Sequence, residues 1–145
     1  MEVVGGAVGV VALSLQLAST VRKCRAMLRS IKGAPDELLR LSDSLKRLNG
    51  LLENVGGLLN RMESLECSSE STSILEDAVS SCQVTITSLE NIVKRIECSS
   101  QHQSKRFWLA VRLLVRLEII EDTQRRVQED MAILQTALTL NQSHL

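Results

Sequence analysis

Apolar residues recur along this chain in four long stretches, each with the three-and-four spacing of a helix face. The first, residues 3–32, carries Val3, Ala7, Val10, Leu17, Val21, Cys24, Leu28 and Ile31 on one stripe. Punctuation follows in "KGAPDELL". Gly33 suits a helix C-cap, Pro35 suits a first turn, and Asp36 and Glu37 complement the positive end of the next helix dipole. The second stretch, residues 35–67, runs through Leu38, Leu41, Leu45, Leu48, Leu52, Val55, Leu59 and Met62, with Leu51, Leu58 and Leu65 widening the face. Gly50 and the Gly56–Gly57 pair each cost about 1 kcal/mol against alanine in a helix. The register survives them, which predicts one helix with a soft point near Gly56.

The third stretch, residues 73–97, opens on Ser73 and Glu76, spaced as a capping box. Its stripe is Leu75, Val79, Cys82, Ile86, Leu89, Val93 and Ile96. The fourth, residues 105–139, runs through Phe107, Ala110, Leu114, Leu117, Ile120, Val127, Met131, Leu134 and Leu138. Short polar connections, "ECSSESTS" and "ECSSQHQS", join the last three. Four helices with short connections predict an all-α fold, an antiparallel up-down-up-down four-helix bundle occupying residues 1–145 as one domain.

Composition agrees and excludes several functions. Of 145 residues, 44% are hydrophobic, yet there is one Phe, one Trp and no Tyr, which favours helices over sheets. Seventeen basic residues balance seventeen acidic ones, so no global electrostatic footprint for nucleic acid exists and base-stacking aromatics are missing. The apolar start is not patterned as a secretion signal, because Glu2 precedes it and the cations Arg22, Lys23, Arg25, Arg29 and Lys32 follow it. It is also short of the roughly 20 apolar residues a spanning helix needs, and it contains Gly5, Gly6 and Gly9. The expectation is a cytoplasmic chain.

Catalytic chemistry has little to stand on. His102 and His144 lie in a loop and in the C-terminal tail, and neither shares a helix face with a cysteine or a carboxylate pair. "GGAVG" has no preceding strand and is a weak nucleotide fingerprint. Cys67 and Cys98 end helices at opposite ends of the bundle, roughly 30 Å apart at about 1.5 Å per residue. Cys24 and Cys82 fall on core stripes at heights about 10 Å apart, too far for a bridge. These read as thiols in a reducing compartment. No enzyme, cofactor, metal or small-molecule substrate is expected.

Charge adds polarity. With helices sorted by height in the expected bundle, one end collects the cations of residues 22–32 with Arg40, Lys46, Arg47, Lys94, Arg95, Lys105, Arg106, Arg112 and Arg116. These are offset there by Asp36, Glu37, Asp43, Glu90 and Glu97. The other end gathers Glu2, Glu53, Glu63, Glu66, Glu70, Glu76, Asp77, Glu118, Glu121, Asp122, Glu129 and Asp130 against Arg61, Arg125 and Arg126. An end-to-end dipole of this kind could drive head-to-tail self-association. "SKRFWLAVRLLVR" sharpens the basic end. Lys105 and Arg106 beside Phe107 and Trp108 form either a basic-aromatic interfacial entry or core packing under snorkelling stems.

"MEVVGGAVGVVALSLQLASTV", followed by "IKGAPDELLRLSDSLKRLNGLLENV", resembles the fungal HeLo-like N-terminal domains of STAND-type, NLR-like receptors. The likeness covers roughly the first 60 residues as a small-residue apolar start, a Lys–x–Ala–Pro-type junction and a long leucine-rich helix, while later helices agree only in period. The resemblance implies a helical signalling or effector domain, in some members one whose first helix is expelled to perturb membranes and kill the cell. That role would fall on Val3, Val4, Gly5, Gly6, Val8, Gly9, Val10, Val11 and Leu13. Contacts to an anionic membrane surface or a partner would fall on Arg22, Lys23, Arg25, Arg29, Lys32, Lys105, Arg106 and Trp108. The other expectation is a soluble module that self-associates or binds a partner helix without membrane activity.

Overall fold

A computed structural model describes residues 7–64, 69–98, 105–116 and 118–142. They form five helices: α1 (Ala7–Arg29), α2 (Asp36–Ser64), α3 (Ser69–Cys98), α4 (Lys105–Arg116) and α5 (Ile119–Gln142). No strand occurs among the described residues. The all-α expectation holds, with one long segment divided in two.

The periodic leucines explain why α2 sits at the centre. Leu38, Leu41, Leu45, Leu48, Leu52, Val55, Leu58, Leu59 and Met62 are all buried, so a single broad face contacts several neighbours at once. α1 packs on one flank of this face and α5 on the other. α3 closes the core against α1 and α5 through Leu75, Val79, Cys82, Ile86, Leu89, Val93 and Ile96. The expected stripes of α2 and α3 are buried from Leu38 to Met62 and from Leu75 to Ile96, as are Leu17 to Ile31 and Ile120 to Leu138 of the first and last stripes. Val10 is half-buried, and Val3, Phe107, Ala110, Leu114 and Leu117 fall among positions whose burial is not described. Each buried leucine, valine or isoleucine contributes on the order of 1.5–3 kcal/mol relative to exposure.

Directions follow from cross-helix contacts. Arg22 of α1 reaches Asn49 and Glu53 of α2, and Ser14 lies beside Gly56, so α1 and α2 are antiparallel. Ser81 of α3 bonds Asp130 of α5, while Asn91 and Arg95 face Glu118 and Asp122, which makes that pair antiparallel too. α2 and α5 run the same way: Ser44 meets Gln124 and Gln128, and Asn54 meets Gln135 across a shallow groove. The expectation of antiparallel neighbours throughout is therefore corrected. α2 and α3 share only a small contact, and the wide leucine face of α2 is spent on α1 and α5.

Three local expectations also change. Glu118 takes a left-handed conformation with φ 59°, costly for a non-glycine residue, and there the expected fourth helix breaks into α4 and α5. The Asp122 amide still donates to the Glu118 carbonyl at 2.9 Å, which starts α5. At the other boundary, α3 begins at Ser69, upstream of the expected cap at Ser73, because Thr72 is buried and extends the packed face. Ser73 is therefore an interior, exposed position rather than a cap.

The α1–α2 turn matches its punctuation. α1 ends at Arg29, Gly33 adopts φ 69°, and the Pro35 carbonyl accepts from the Leu38 and Leu39 amides to launch α2. Gly56 lies inside the one continuous helix expected there. α2 runs unbroken through it, and its missing side chain lets α1 approach: a Cβ there would stand 2.9 Å from the Ser14 hydroxyl oxygen.

Candidate functional site

Two surfaces carry the residues singled out by sequence, and they lie at opposite ends of the helical stack. The first is the start of α1. Val3, Val4, Gly5 and Gly6 lie outside the described residues, and the Val8 side chain is likewise not described. Gly9, Val10, Val11 and Leu13 are half-buried, with the three apolar side chains leaning on the core from its edge. From Ser14 onward the helix is anchored, since Ser14, Leu17, Ala18, Val21, Cys24 and Leu28 are all buried. α1 thus has a loosely covered tip and a firmly packed stem. The Ser14 hydroxyl donates to the Val11 carbonyl at 2.9 Å and sits against Gly56, marking the border between them.

The second surface is α4, a two-sided helix only twelve residues long. Val111 is buried and Trp108 is half-buried against the core, so those two positions fix the inward side. Lys105, Leu109, Arg112, Leu113 and Arg116 are exposed, and their spacing places them on one outward sector. Leu109 is 62% exposed and Leu113 54%. Trp108 thus leans on the core while remaining partly exposed, and the Arg106 side chain is not described. Sequence reasoning missed Leu109 and Leu113. The signal was present in the i, i+4 leucines set among cations, both standing off the expected core stripe.

The α1 cations divide as well. Arg22 donates to Asn49 at 3.2 Å and pairs with Glu53 at 3.5 Å, which holds it to α2. Arg25 is half-buried, while Lys23, Arg29 and Lys32 are exposed. The expected charge dipole is only partial. Because the chain breaks at Glu118, α5 starts level with the first turn of α2, and Glu118 and Glu121 stand near Arg95 and Arg40 at the end expected to be basic. Height counted along one unbroken helix had put those acids at the far end.

Between α3 and α5 an open cleft of about 780 Å³ is lined by Asn91, Arg95, Glu118, Asp122, Arg125 and Arg126 among others. Three of its charges pair: Arg125 with Asp122 and with neighbouring Glu129, and Arg126 with Asp122 at 3.3 Å. No group of three or more His, Cys, Asp or Glu side chains suited to a metal occurs among the described residues. Deeper in the same interface, Asp130 is 5% exposed and its Oδ1 accepts from the Ser81 hydroxyl at 3.2 Å. Burial pushes its carboxyl above the ordinary value, against the Thr85 and Ser81 hydroxyls that pull it down. The neighbouring Cys82 thiol is pushed up to about 12 by burial and by the Asp130 charge, so it carries no thiolate at neutral pH. Cys24 and Cys82 are both buried and free of disulfides; Cys67 lies outside the described residues and the Cys98 side chain is not described.

Family membership decides the class. Residues 11–134 match the model of SesA, described as an N-terminal domain on NACHT NTPases and P-loop NTPases. The chain belongs to the SesA family. The matched span runs from the tip of α1 almost to the end of α5, so all five helices belong to the SesA domain. This bears out the NLR-like resemblance seen in the opening 60 residues and extends it across the later helices. No curated protein and no solved structure matches the chain. Among the described residues of this SesA domain, no helix is long and apolar enough to cross a membrane.

Proposed function

We propose that this SesA domain is a non-enzymatic signalling and effector domain of the NLR-like class, recruited from the cytoplasm to the plasma membrane, where the glycine-containing start of α1 perturbs the bilayer and triggers cell death. The observation that carries the reading is the change of burial along α1, from half-buried Gly9–Leu13 to a fully packed stem beyond Ser14. A segment with few buried contacts opens at low free-energy cost, whereas the stem opens only with the core. The tip is too short to span, so its action is insertion into the interfacial layer of one leaflet. The family description places such domains on NTPases, and a nucleotide-dependent change in an attached NTPase is the natural source of the signal.

Dye release from vesicles containing anionic lipid tests this. The native chain is expected to cause leakage, and Val10→Glu with Val11→Glu is expected to abolish it while circular dichroism stays helical. An absence of leakage at every protein concentration, or equal leakage from the double variant, contradicts the reading.

A further inference from the structure

We propose that the outward sector of α4 is a second, separate membrane contact: an in-plane docking face for an anionic bilayer, built from Leu109 and Leu113 with Lys105, Arg112 and Arg116. It deepens the membrane reading given above by naming what first holds the domain to the surface, and it rests on that reading only for its biological setting.

The argument begins with composition. "KRFWLAVRLLVR" contains four cations and no acid, so nothing within the helix neutralises its charge. Among the described residues no ion pair or hydrogen bond reaches Lys105, Arg112 or Arg116, although exposed cations elsewhere, such as Arg22 and Arg126, do find carboxylates. Next comes geometry. Successive helical residues turn by about 100°, so Arg112, Lys105 and Arg116 form a strip with Leu109 and Leu113 directly beside it. Val111 and Trp108 point to the core side and hold the helix against the bundle with the strip outward.

Those features suit a lipid surface. A helix lying in the interface needs apolar side chains that enter the acyl boundary and cations that stay at the phosphate level. Leu109 and Leu113 are among the most exposed large apolar residues of the chain, and neither stabilises the fold by burial. The acids nearest in sequence are Glu118, the left-handed break itself, and Glu121 just beyond it, where α5 takes a new course and brings them towards Arg95 and Arg40. The break therefore separates a basic helix from an acidic helix start. An unbroken helix would have carried the acids along the same axis.

Docking through α4 leaves the α1 tip at the other end of the stack, so binding and bilayer damage are separable steps. Co-sedimentation with phosphatidylcholine vesicles, with and without phosphatidylserine, reads the first step, and dye release reads the second. The native chain is expected to bind the phosphatidylserine vesicles at low salt, to leave the neutral ones in solution, and to be released by high salt. Arg112→Glu with Arg116→Glu should lower binding at least about tenfold. Leu109→Ser with Leu113→Ser should weaken binding and leave its salt dependence. All four substitutions are at exposed positions, and unchanged thermal unfolding confirms that loss of binding is not loss of fold. Val10→Glu with Val11→Glu should still bind and fail to leak. Native-like binding by both α4 double variants, or no binding of the native chain to either vesicle, overturns the α4 proposal. Undiminished binding with leakage would leave the α1 reading standing without it, and α4-dependent binding without leakage would do the reverse.

Discussion

The two halves of α1 share one helix, and although the tip is the more apolar of the two, the stem is the half held inside the core. The stem places Leu17, Val21, Cys24 and Leu28 fully inside the core, whereas the tip rests Val10, Val11 and Leu13 on its edge. The difference comes from what lies opposite. The stem faces α2 on one flank and α3 on the other, with Cys24 beside Val93, while the border of the tip is set by the close approach of Ser14 to Gly56. Hydrophobicity alone therefore does not identify core.

The largest effect that could break this comparison is truncation. Leu28→Ala in the stem is expected to lower unfolding stability by about 3 kcal/mol, from lost transfer energy plus a residual cavity. Val10→Ala in the tip is expected to cost under about 1 kcal/mol, since that side chain is already partly exposed. Equal losses in a denaturant titration would mean that tip and stem are one unit.

A sharper pair comes from adjacent glycines. Gly57→Ala adds a methyl group where nothing lies within 4 Å, and should stabilise α2 by about 1 kcal/mol through helix propensity. Gly56→Ala gains the same propensity but must displace the Ser14 hydroxyl, at 2.9 Å from the new Cβ, from its bond to Val11. That should cancel most or all of the gain, at about 1 kcal/mol for a lost hydrogen bond. Adding Ser14→Ala to Gly56→Ala removes the obstructing oxygen and should restore stability. Thermal melts of the four proteins decide it, and identical behaviour of the two glycine variants would deny the close approach.

The third effect is directional and belongs to the α3–α5 interface. Asp130 has its folded-state pKa raised by burial, so the folded chain binds more protons than the unfolded chain between the ordinary carboxylate value and that raised value. This group's contribution to stability therefore falls as pH rises through the window, and below it nothing further changes. Asp130→Asn should flatten that component and be more stable than the native chain at neutral pH. Superimposable pH–stability curves would contradict the burial. The smallest effect is expected at α4, where Leu113→Ser should shift stability by no more than about 0.5 kcal/mol.

Much of the fold was legible because leucine spacing in α2 is a strong, uninterrupted signal. Every member of the Leu38-to-Met62 stripe is buried. Gly33 and Pro35 likewise announced their turn through backbone chemistry that few other residues share. The break at Glu118 was not legible, since a left-handed glutamate is fixed by tertiary packing and no glycine, proline or asparagine marks it. That one omission carried the overstated charge dipole with it. Neighbour order was equally out of reach, because spacing says which face is buried and not which helix covers it.

Hydrogen exchange along α1, resolved by residue and repeated with and without phosphatidylserine vesicles, tests the central claim most directly. The account predicts that amides of residues 9–13 exchange orders of magnitude faster than those of residues 17–28 in solution, and that vesicles alter the protection of the first group and leave the second unchanged. Uniform protection along the whole helix, indifferent to anionic lipid, would contradict it.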